Sequence, residues 1–253
     1  MPPAFLTLAV SAIAFLYSSV GFGGATGYLA AMSLFGIQPE IMASTALILN
    51  VLVAGISFSS FYRAGHLRRD LLLPFILTSV PTAFIGGYFK ITDEAYSILL
   101  YAVLTIVAVR LLFFSNRRNA ENENRANYHL PITTYPLALL TGSLIGLLSG
   151  MVGIGGGIFL SPVIIFAGWG TSKQASAVAA AFIVLNSLSG LAGRLSSGNF
   201  VFGEFGLALL PFGLLGALAG SALGAKQFNS LALRRALGFV ITFAVTNFWI
   251  KFL

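Results

Sequence analysis

Ten apolar stretches follow one another along this chain, with little polar sequence between them. They cover residues 4–20, 22–37, 41–62, 71–90, 95–114, 134–150, 152–168, 175–197, 205–225 and 231–250. A helix needs about 20 residues to cross the hydrocarbon core of a bilayer, and six of the ten stretches reach that length. Only 8% of the residues are charged, against about 25% in soluble domains. The pattern predicts an all-α, polytopic protein of a cell membrane (inner or plasma).

The two halves of the chain resemble each other. Three segments of the first half recur in the second at an offset that drifts from 132 to 137 residues. The matched segments are 20–24 with 152–156, 38–50 with 174–186, and 73–75 with 210–212. Such matches indicate a tandem duplication. We therefore divide the chain into a first transmembrane repeat (1–114), a cytoplasmic linker (115–132) and a second transmembrane repeat (133–253).

The positive charges predict that the two repeats are inverted in the membrane. In the first half, Lys and Arg outnumber Asp and Glu in the loop after its third apolar stretch (41–62). In the second half, they do so in the loop after its fourth apolar stretch (205–225). These residues are Arg63, Arg68 and Arg69 in the first half and Lys226, Arg234 and Arg235 in the second. Because Lys and Arg mark the cytoplasmic side, matched loops lie on opposite sides. Inversion needs an odd number of crossings per repeat, five being the simplest count; the alternative is parallel repeats with four crossings each.

Four of the apolar stretches are short and adjoin a glycine cluster. They are 4–20, 22–37, 134–150 and 152–168. Each is either a tilted or thin span, or one arm of a re-entrant hairpin. The predicted fold is thus two homologous, inverted repeats of about five helical segments each, with short helices broken at glycine.

The glycine clusters predict a substrate site. Glycine permits positive φ and close backbone approach, and the amides of a helix that begins after a break favour an anion. Matched, glycine-broken segments in two repeats indicate a transporter's binding site, although glycine also serves tight helix packing. The predicted substrate-binding residues of the clusters are Gly21, Gly23, Gly24, Thr26, Gly153, Gly155 and Gly156.

Polar residues inside the long apolar stretches are the next candidates. Asn50 and Asn186 occupy equivalent positions of the two repeats, and Thr45 and Ser187 lie near them. A buried amide without a partner costs several kcal/mol, so each Asn should face the bundle interior. They either bind the substrate or hold helices together by hydrogen bonds. We include all four in the predicted substrate site.

Two arginines end those same stretches. Arginine presents a planar fork of donors that suits oxyanions. Arg63 lies beside Arg68 and Arg69, which favours a snorkelling role at the membrane surface. Arg194 has no basic neighbour in sequence and falls on the predicted outer side, against the charge rule. We therefore add Arg194 to the site, as an anion contact or a gate.

Glycines at intervals of four residues form two ridges. They are Gly142, Gly146 and Gly150, and Gly216, Gly220 and Gly224. Small residues at this spacing let helices pack closely. The same ridges would also suit the seam of a homodimer.

Enzymatic and cofactor functions find little support in the residues present. The chain has no Cys and two His, both in polar loops, which does not suit a zinc site or an intramembrane serine protease. No P-loop occurs, and the glycine spacing is not a dinucleotide fingerprint. No carboxylate lies near the centre of a predicted span, so a midplane acidic proton relay is not expected. We predict no enzymatic activity, cofactor, metal or nucleic-acid partner; the net charge of +7 fits membrane orientation instead.

The joint pattern resembles the sulfite exporter TauE/SafE family over almost the entire chain. The residues that carry the resemblance are 153–157, Pro162, 179–194, Gly198 and 210–211 in the second half, and 21–24, Asn50, 63–66 and 73–74 in the first. The first repeat departs from the second at Ala25-Thr26, where the second has Gly157-Ile158, so Thr26 adds a hydroxyl on one side only. The resemblance implies an inner-membrane permease for sulfite, sulfoacetate or a related small sulfur-containing anion.

The residues and the resemblance both indicate a small anionic substrate. Backbone amides and neutral donors are present at the predicted site, and no buried acid would repel a negative charge. We expect a secondary transporter that works by alternating access between inverted halves. The alternatives are a permease for another anion, such as a carboxylate or thiosulfate, and a membrane-embedded partner subunit in which the glycines serve only packing.

Overall fold

A computed structural model describes residues 2–113, 134–224, 241–243, 245–246 and 248–250. Within these ranges all regular secondary structure is helical. The linker predicted at 115–132 lies outside the described residues, as do Lys226, Arg234, Arg235 and much of the last apolar stretch.

The described part of the chain forms nine long or half-length helices, followed by helical residues between 241 and 250. They are α1 (Ala4–Val20), α2 (Ala25–Leu34), α3 (Pro39–Arg63), α4 (Arg69–Tyr88), α5 (Asp93–Phe113), α6 (Tyr135–Val152), α7 (Gly157–Phe166), α8 (Ser172–Ser197) and α9 (Gly203–Gly224). By length and composition, five of the helices in the described ranges could cross a membrane, namely α3, α4, α6, α8 and α9. The predicted all-helical membrane protein is confirmed.

Both glycine clusters break the helices, as predicted. α1 ends at Gly21 and α2 begins after Gly24, with φ of 90° and 91° at these glycines. α6 ends at Gly153 and α7 begins after Gly156, with φ of 90° and 77°. An L-residue with a side chain rarely adopts these left-handed conformations. Glycine at these four positions therefore allows a helix to stop and a new helix to start within a few residues.

After the first break the chain turns back on itself. The hydroxyl groups of Tyr17 and Thr26 lie 2.5 Å apart, and the rings of Phe5 and Phe35 lie 6.2 Å apart. The end of α2 therefore lies beside the start of α1. After the second break, Gly156 lies against Ile145, two turns before the end of α6. The short segments are thus paired as the antiparallel arms of hairpins, which fits both alternatives from the sequence, two short spans or one re-entrant hairpin.

The glycine ridges pack helices of one repeat onto helices of the other. On α6 each ridge glycine lies against a carbonyl group of α4, and on α9 two ridge glycines lie against α1. The pairs are Gly142 with Phe75, Gly146 with Ser79, Gly150 with Ala83, Gly216 with Ser11 and Gly220 with Phe15. Since residue numbers rise together in each set, α6 runs parallel to α4 and α9 runs parallel to α1. From 142 to 150 and from 216 to 220, these ridges therefore pack helices within one chain, and these glycines are not free to form the seam of a homodimer.

Helices α3 and α8 run in opposite directions through the centre of the bundle. Leu47 of α3 lies near Gly190 of α8, and Ser44, earlier on α3, accepts a hydrogen bond from Val201, just beyond α8. α8 follows the direction of α4, because Ser189 bonds the Val80 carbonyl and Gly193 lies against Phe84. α9 follows the direction of α3, because Gly206 lies against Thr45 and Gly213 against Leu49. Helices α4, α6 and α8 therefore share one direction, and α1, α3 and α9 share the opposite one.

We expect Gly150→Ala to destabilise the bundle. A Cβ there would lie 2.7 Å from the Gly87 nitrogen and closer still to the Ala83 carbonyl oxygen, and backbone atoms cannot rotate away. Such overpacking costs about 1–3 kcal/mol. Gly55→Ala is the matched control, since a Cβ on Gly55 meets nothing within 4 Å and alanine favours a helix by up to about 1 kcal/mol. Thermal unfolding in detergent measures both; equal midpoints would contradict close packing of α4 on α6.

Candidate functional site

Asn50 joins the two glycine breaks, which we call the first glycine loop (residues 21–24) and the second glycine loop (residues 153–156). Its Oδ1 accepts a hydrogen bond from the Ala25 amide at the start of α2, at 3.1 Å. Its Nδ2 donates to the Ile154 carbonyl in the second glycine loop, also at 3.1 Å. The side chain is fully buried. One amide in the middle of α3 therefore links the start of α2, 25 residues away in sequence, to the second glycine loop, 104 residues away.

Several backbone amides at this junction have no hydrogen-bond partner among the residues that the structure describes. Ala25 donates to Asn50, but no bond within the described residues engages the amides of Thr26 and Gly27 on α2 or of Gly155 and Gly157 by α7. Free amides and the positive end of the helix dipole favour an anion. The two helix starts provide such groups from both repeats at one place.

Asn186 does not repeat the bonding of Asn50, although the two residues are equivalent in sequence. Its Nδ2 donates to the Phe182 carbonyl of its own helix at 2.9 Å, and its Oδ1 is buried without a partner. The neighbouring Ser187 hydroxyl is also buried and unpartnered, and it lies beside Gly155. On α8, two polar groups at the junction are therefore unsatisfied, whereas on α3 the Asn50 side chain has hydrogen bonds at both of its polar atoms.

Two tyrosines at the first glycine loop were not predicted from sequence. The Tyr17 hydroxyl shares a hydrogen bond with Thr26. The Tyr28 hydroxyl is buried and unpartnered, and it lies against Gly24. Both tyrosines lie within apolar stretches of the sequence and would be assigned to helix packing. The one sequence signal for a role at the site is their spacing, four residues before Gly21 and four residues after Gly24. With Thr26 they place three hydroxyl groups on one side of the junction.

A small cavity lies between the two glycine loops. Its lining combines residues of the first loop and α2 with three isoleucines: Tyr17, Phe22, Gly23, Gly24, Ala25, Thr26, Ile154, Ile158 and Ile183. Its volume of about 10 Å³ is about the least that one water molecule requires. The lining residues carry no charge. The structure thus has a tight, neutral junction that must widen to admit an anion.

The other predicted glycines lie against neighbouring helices. Gly21 contacts Phe61 and Ser176, Gly153 contacts Ala43, and Gly156 contacts Ile145 and Phe182. These three positions let the loops pack closely, whereas Gly23 and Gly155 lie directly beside Asn50. Thr45 is not brought to the loops, because its hydroxyl lies next to Gly206 of α9.

Arg194 lies in a separate pocket near the ends of α4, α6 and α8. Its side chain is 6% exposed, and Nη2 donates to the Met151 carbonyl at 2.7 Å and the Gly150 carbonyl at 3.4 Å. A cation that bonds the last carbonyls of a helix is favourable, so Arg194 caps α6. Its Nε is buried without a partner.

The Arg194 pocket also contains a basic neighbour that sequence separation concealed. Lys90 lines the same pocket, together with Glu40 and Asp93. The Lys90 amine lies 2.7 Å from a Glu40 carboxylate oxygen, and this hydrogen bond raises the pKa of Lys90. The ion pair joins the start of α3 to the connection between α4 and α5. Two positive and two negative side chains thus line this pocket.

Comparison with known proteins identifies the relatives of this chain. Residues 6–248 match the family model described as sulfite exporter TauE/SafE. The chain is 36% identical over 225 residues to the "Probable membrane transporter protein y4hK" of Sinorhizobium fredii, covering 87% of this chain and 85% of that protein. It is 28% identical over 235 residues to the "Probable membrane transporter protein ORF9" of a Sinorhizobium species, covering 92% and 84%. No solved structure matches it.

Proposed function

This chain belongs to the sulfite exporter TauE/SafE family and is a membrane transporter of that type, and we propose that it exports a small sulfur-containing anion by alternating access. Sulfite and a two-carbon sulfonate such as sulfoacetate are the substrates we propose first. The proposed site is the junction of the two glycine loops at Asn50.

The observation that carries this proposal is the meeting of two helix starts at one buried amide. The amides of Thr26, Gly27, Gly155 and Gly157 are unengaged within the described residues, and no charged side chain lines the cavity between them. Broken helices whose N-termini point toward an anionic group are a recurrent feature of transporter binding sites. An oxyanion with several acceptor oxygens suits this set of donors.

The directions of the helices support inverted repeats. The sequence pairs α1 with α6, α3 with α8, and α4 with α9. Ridge contacts place α1, α3 and α9 in one direction and α4, α6 and α8 in the other. Each matched pair is therefore antiparallel, as inversion requires. A hairpin adds either two crossings or none, so each repeat keeps an odd number of crossings, five or three.

The unequal bonding of Asn50 and Asn186 supports alternating access. In this conformation Asn50 bonds both loops, whereas the Asn186 carbonyl oxygen has no partner. Inverted repeats exchange their conformations when such a transporter changes its open side. We infer that, in the opposite conformation, Asn50 releases the amide at the start of α2 and Asn186 accepts a hydrogen bond from an amide at the start of α7.

Reconstituted transport tests the proposal. Proteoliposomes with wild-type protein are expected to move radiolabelled sulfite or sulfoacetate, and Asn186→Ala and Arg194→Ala are expected to reduce flux about tenfold or more, a loss of about 1.4 kcal/mol. Gly55→Ala, a position where a Cβ meets nothing within 4 Å, serves as the unaffected control. Undiminished flux in Asn186→Ala would remove Asn186 from the site, and undiminished flux in Arg194→Ala would show that the cap on α6 is not needed for transport.

Binding assays with purified protein distinguish the other functions. A thermal-shift panel of small anions reports specific binding, because a ligand that prefers the folded state raises stability. A shift with a carboxylate or thiosulfate but not with sulfite would reassign the substrate. If no anion is bound or moved by the protein alone, a partner-subunit role is favoured instead.

A further inference from the structure

We propose that the junction of the glycine loops carries its substrate as a monoanion and excludes dianions. This inference rests on the proposed function and selects among its substrates. Hydrogen sulfite and simple sulfonates, which carry one negative charge, are accepted. The sulfite dianion and sulfate, which carry two, are not. Sulfoacetate also carries two charges, so of the two substrates proposed above this inference keeps sulfite and removes sulfoacetate.

The helices that flank the glycine loops carry no charged side chain in the described part of the chain. The four helices that flank the two loops, α1, α2, α6 and α7, contain no Asp, Glu, Lys, Arg or His. Their titratable groups at the junction are the hydroxyls of Tyr17 and Tyr28. An entering anion therefore meets neutral donors only.

The charges of the two central helices lie far from Asn50. On α3 they are Glu40 and Arg63 at the two ends, which at 1.5 Å per residue places them about 15–20 Å along the axis. On α8 they are Lys173 in the first turn and Arg194, the latter about 10 Å beyond Ser187 along the axis. The Arg194 Nη2 already bonds the end of α6.

Unsatisfied neutral groups converge on the junction. The Tyr28 hydroxyl lies against Gly24 and the Ser187 hydroxyl against Gly155, and both are fully buried and unpartnered. Hydroxyl and amide groups can solvate one negative charge by hydrogen bonds. They supply no compensating positive charge.

The cost of dehydration decides between the two charge states. The energy of moving an ion from water into a medium of low dielectric constant is already of order 20 kcal/mol for one charge before hydrogen bonds compensate it. Because this energy rises with the square of the charge, a dianion of the same size costs about four times as much. Neutral donors that suffice for a monoanion therefore leave a dianion far from compensated.

The pH dependence of sulfite uptake tests the inference, since the second ionisation of sulfite occurs near neutral pH. Wild-type proteoliposomes are held at the same pH on both sides, and total sulfite is fixed below saturation. Initial uptake is expected to fall about tenfold for each pH unit above that ionisation, because only the fraction of sulfite present as hydrogen sulfite is transported. Methanesulfonate, a monoanion at every pH used, is expected to enter at a constant rate.

Competition provides the second measurement. Unlabelled methanesulfonate is expected to inhibit sulfite uptake, whereas sulfate at the same concentration is expected to inhibit at least about tenfold less. Uptake that rises as the dianion forms, or equal inhibition by sulfate, would overturn the inference while leaving sulfite transport established. Methanesulfonate uptake that falls with pH as sulfite does would also overturn it, because a coupled proton would then explain both. Failure of both anions to enter would reject the proposed function itself.

Discussion

Asn50→Leu is expected to abolish transport and to lower the free energy of unfolding by about 1–3 kcal/mol. Leucine keeps the apolar volume but leaves the Ala25 N–H and the Ile154 C=O without the bonds that Asn50 provides. In water-soluble proteins each buried unpaired group costs about 1–3 kcal/mol. Hydrogen bonds between membrane helices average only about 0.6 kcal/mol. We therefore expect the loss of both Asn50 bonds to cost an amount toward the lower end of the range of about 1–3 kcal/mol.

Asn186→Leu is the matched control for folding. Asn186 bonds only a carbonyl of its own helix, and its Oδ1 is buried without a partner, so leucine removes an unsatisfied group. We expect its stability to stay within about 0.5 kcal/mol of wild type, while flux falls as in the alanine variant. Chemical unfolding in detergent and sulfite flux are measured on the same preparations. Wild-type transport by Asn50→Leu would show that Asn50 only connects helices.

The breaks in the helices were predictable because they depend on local sequence. Clustered glycines weaken a helix wherever they occur, and the breaks fall at Gly21–Gly24 and Gly153–Gly156 as predicted. The burial of Asn50 and Asn186 was predictable for a similar reason, since an amide within a long apolar stretch must avoid lipid. Both inferences need only the residue and its neighbours in the chain.

The partners of Asn50 could not be predicted from sequence. Its two bonds reach backbone atoms of Ala25 and Ile154, 25 and 104 residues away, and any residue type could supply those atoms. The hydroxyls of Tyr17 and Tyr28 reach the site only because α2 turns back along α1. The sequence left that turn undecided between hairpin and span.

Helix rotation explains why Thr45 does not reach the glycine loops, and distance along the helix axis explains why Arg194 does not. Thr45 precedes Asn50 by five residues, which is about 140° around a helix, so it faces α9 at Gly206 instead of the loops. Arg194 lies eight residues beyond Asn186, in a pocket with Lys90 at the end of the bundle. The sequence shows that both residues lie on the helices that carry Asn50 and Asn186, but it does not show whether a side chain on these helices reaches the glycine loops.

Gly155→Ala is expected to eliminate transport by filling the junction. Its φ of +75° is left-handed, and a Cβ would lie 2.7 Å from the Asn50 Nδ2, 2.9 Å from the Ile183 Cγ2 and 3.0 Å from the Ser187 Oγ. The left-handed backbone costs about 1–2 kcal/mol with a side chain, and overpacking adds about 1–3 kcal/mol. The added methyl group also occupies the space where the free amides would meet an anion.

Gly168→Ala separates these two effects. Gly168 has nearly the same φ, +71°, but a Cβ there meets nothing within 4 Å, so the variant suffers backbone strain alone. It is expected to lose about 1–2 kcal/mol of stability and to keep wild-type flux per folded molecule, whereas Gly155→Ala loses flux even in the fraction that folds. Flux normalised to the monodisperse protein recovered in detergent measures this difference. If both variants transport equally well, the second glycine loop supplies only a turn, and the substrate must pass elsewhere.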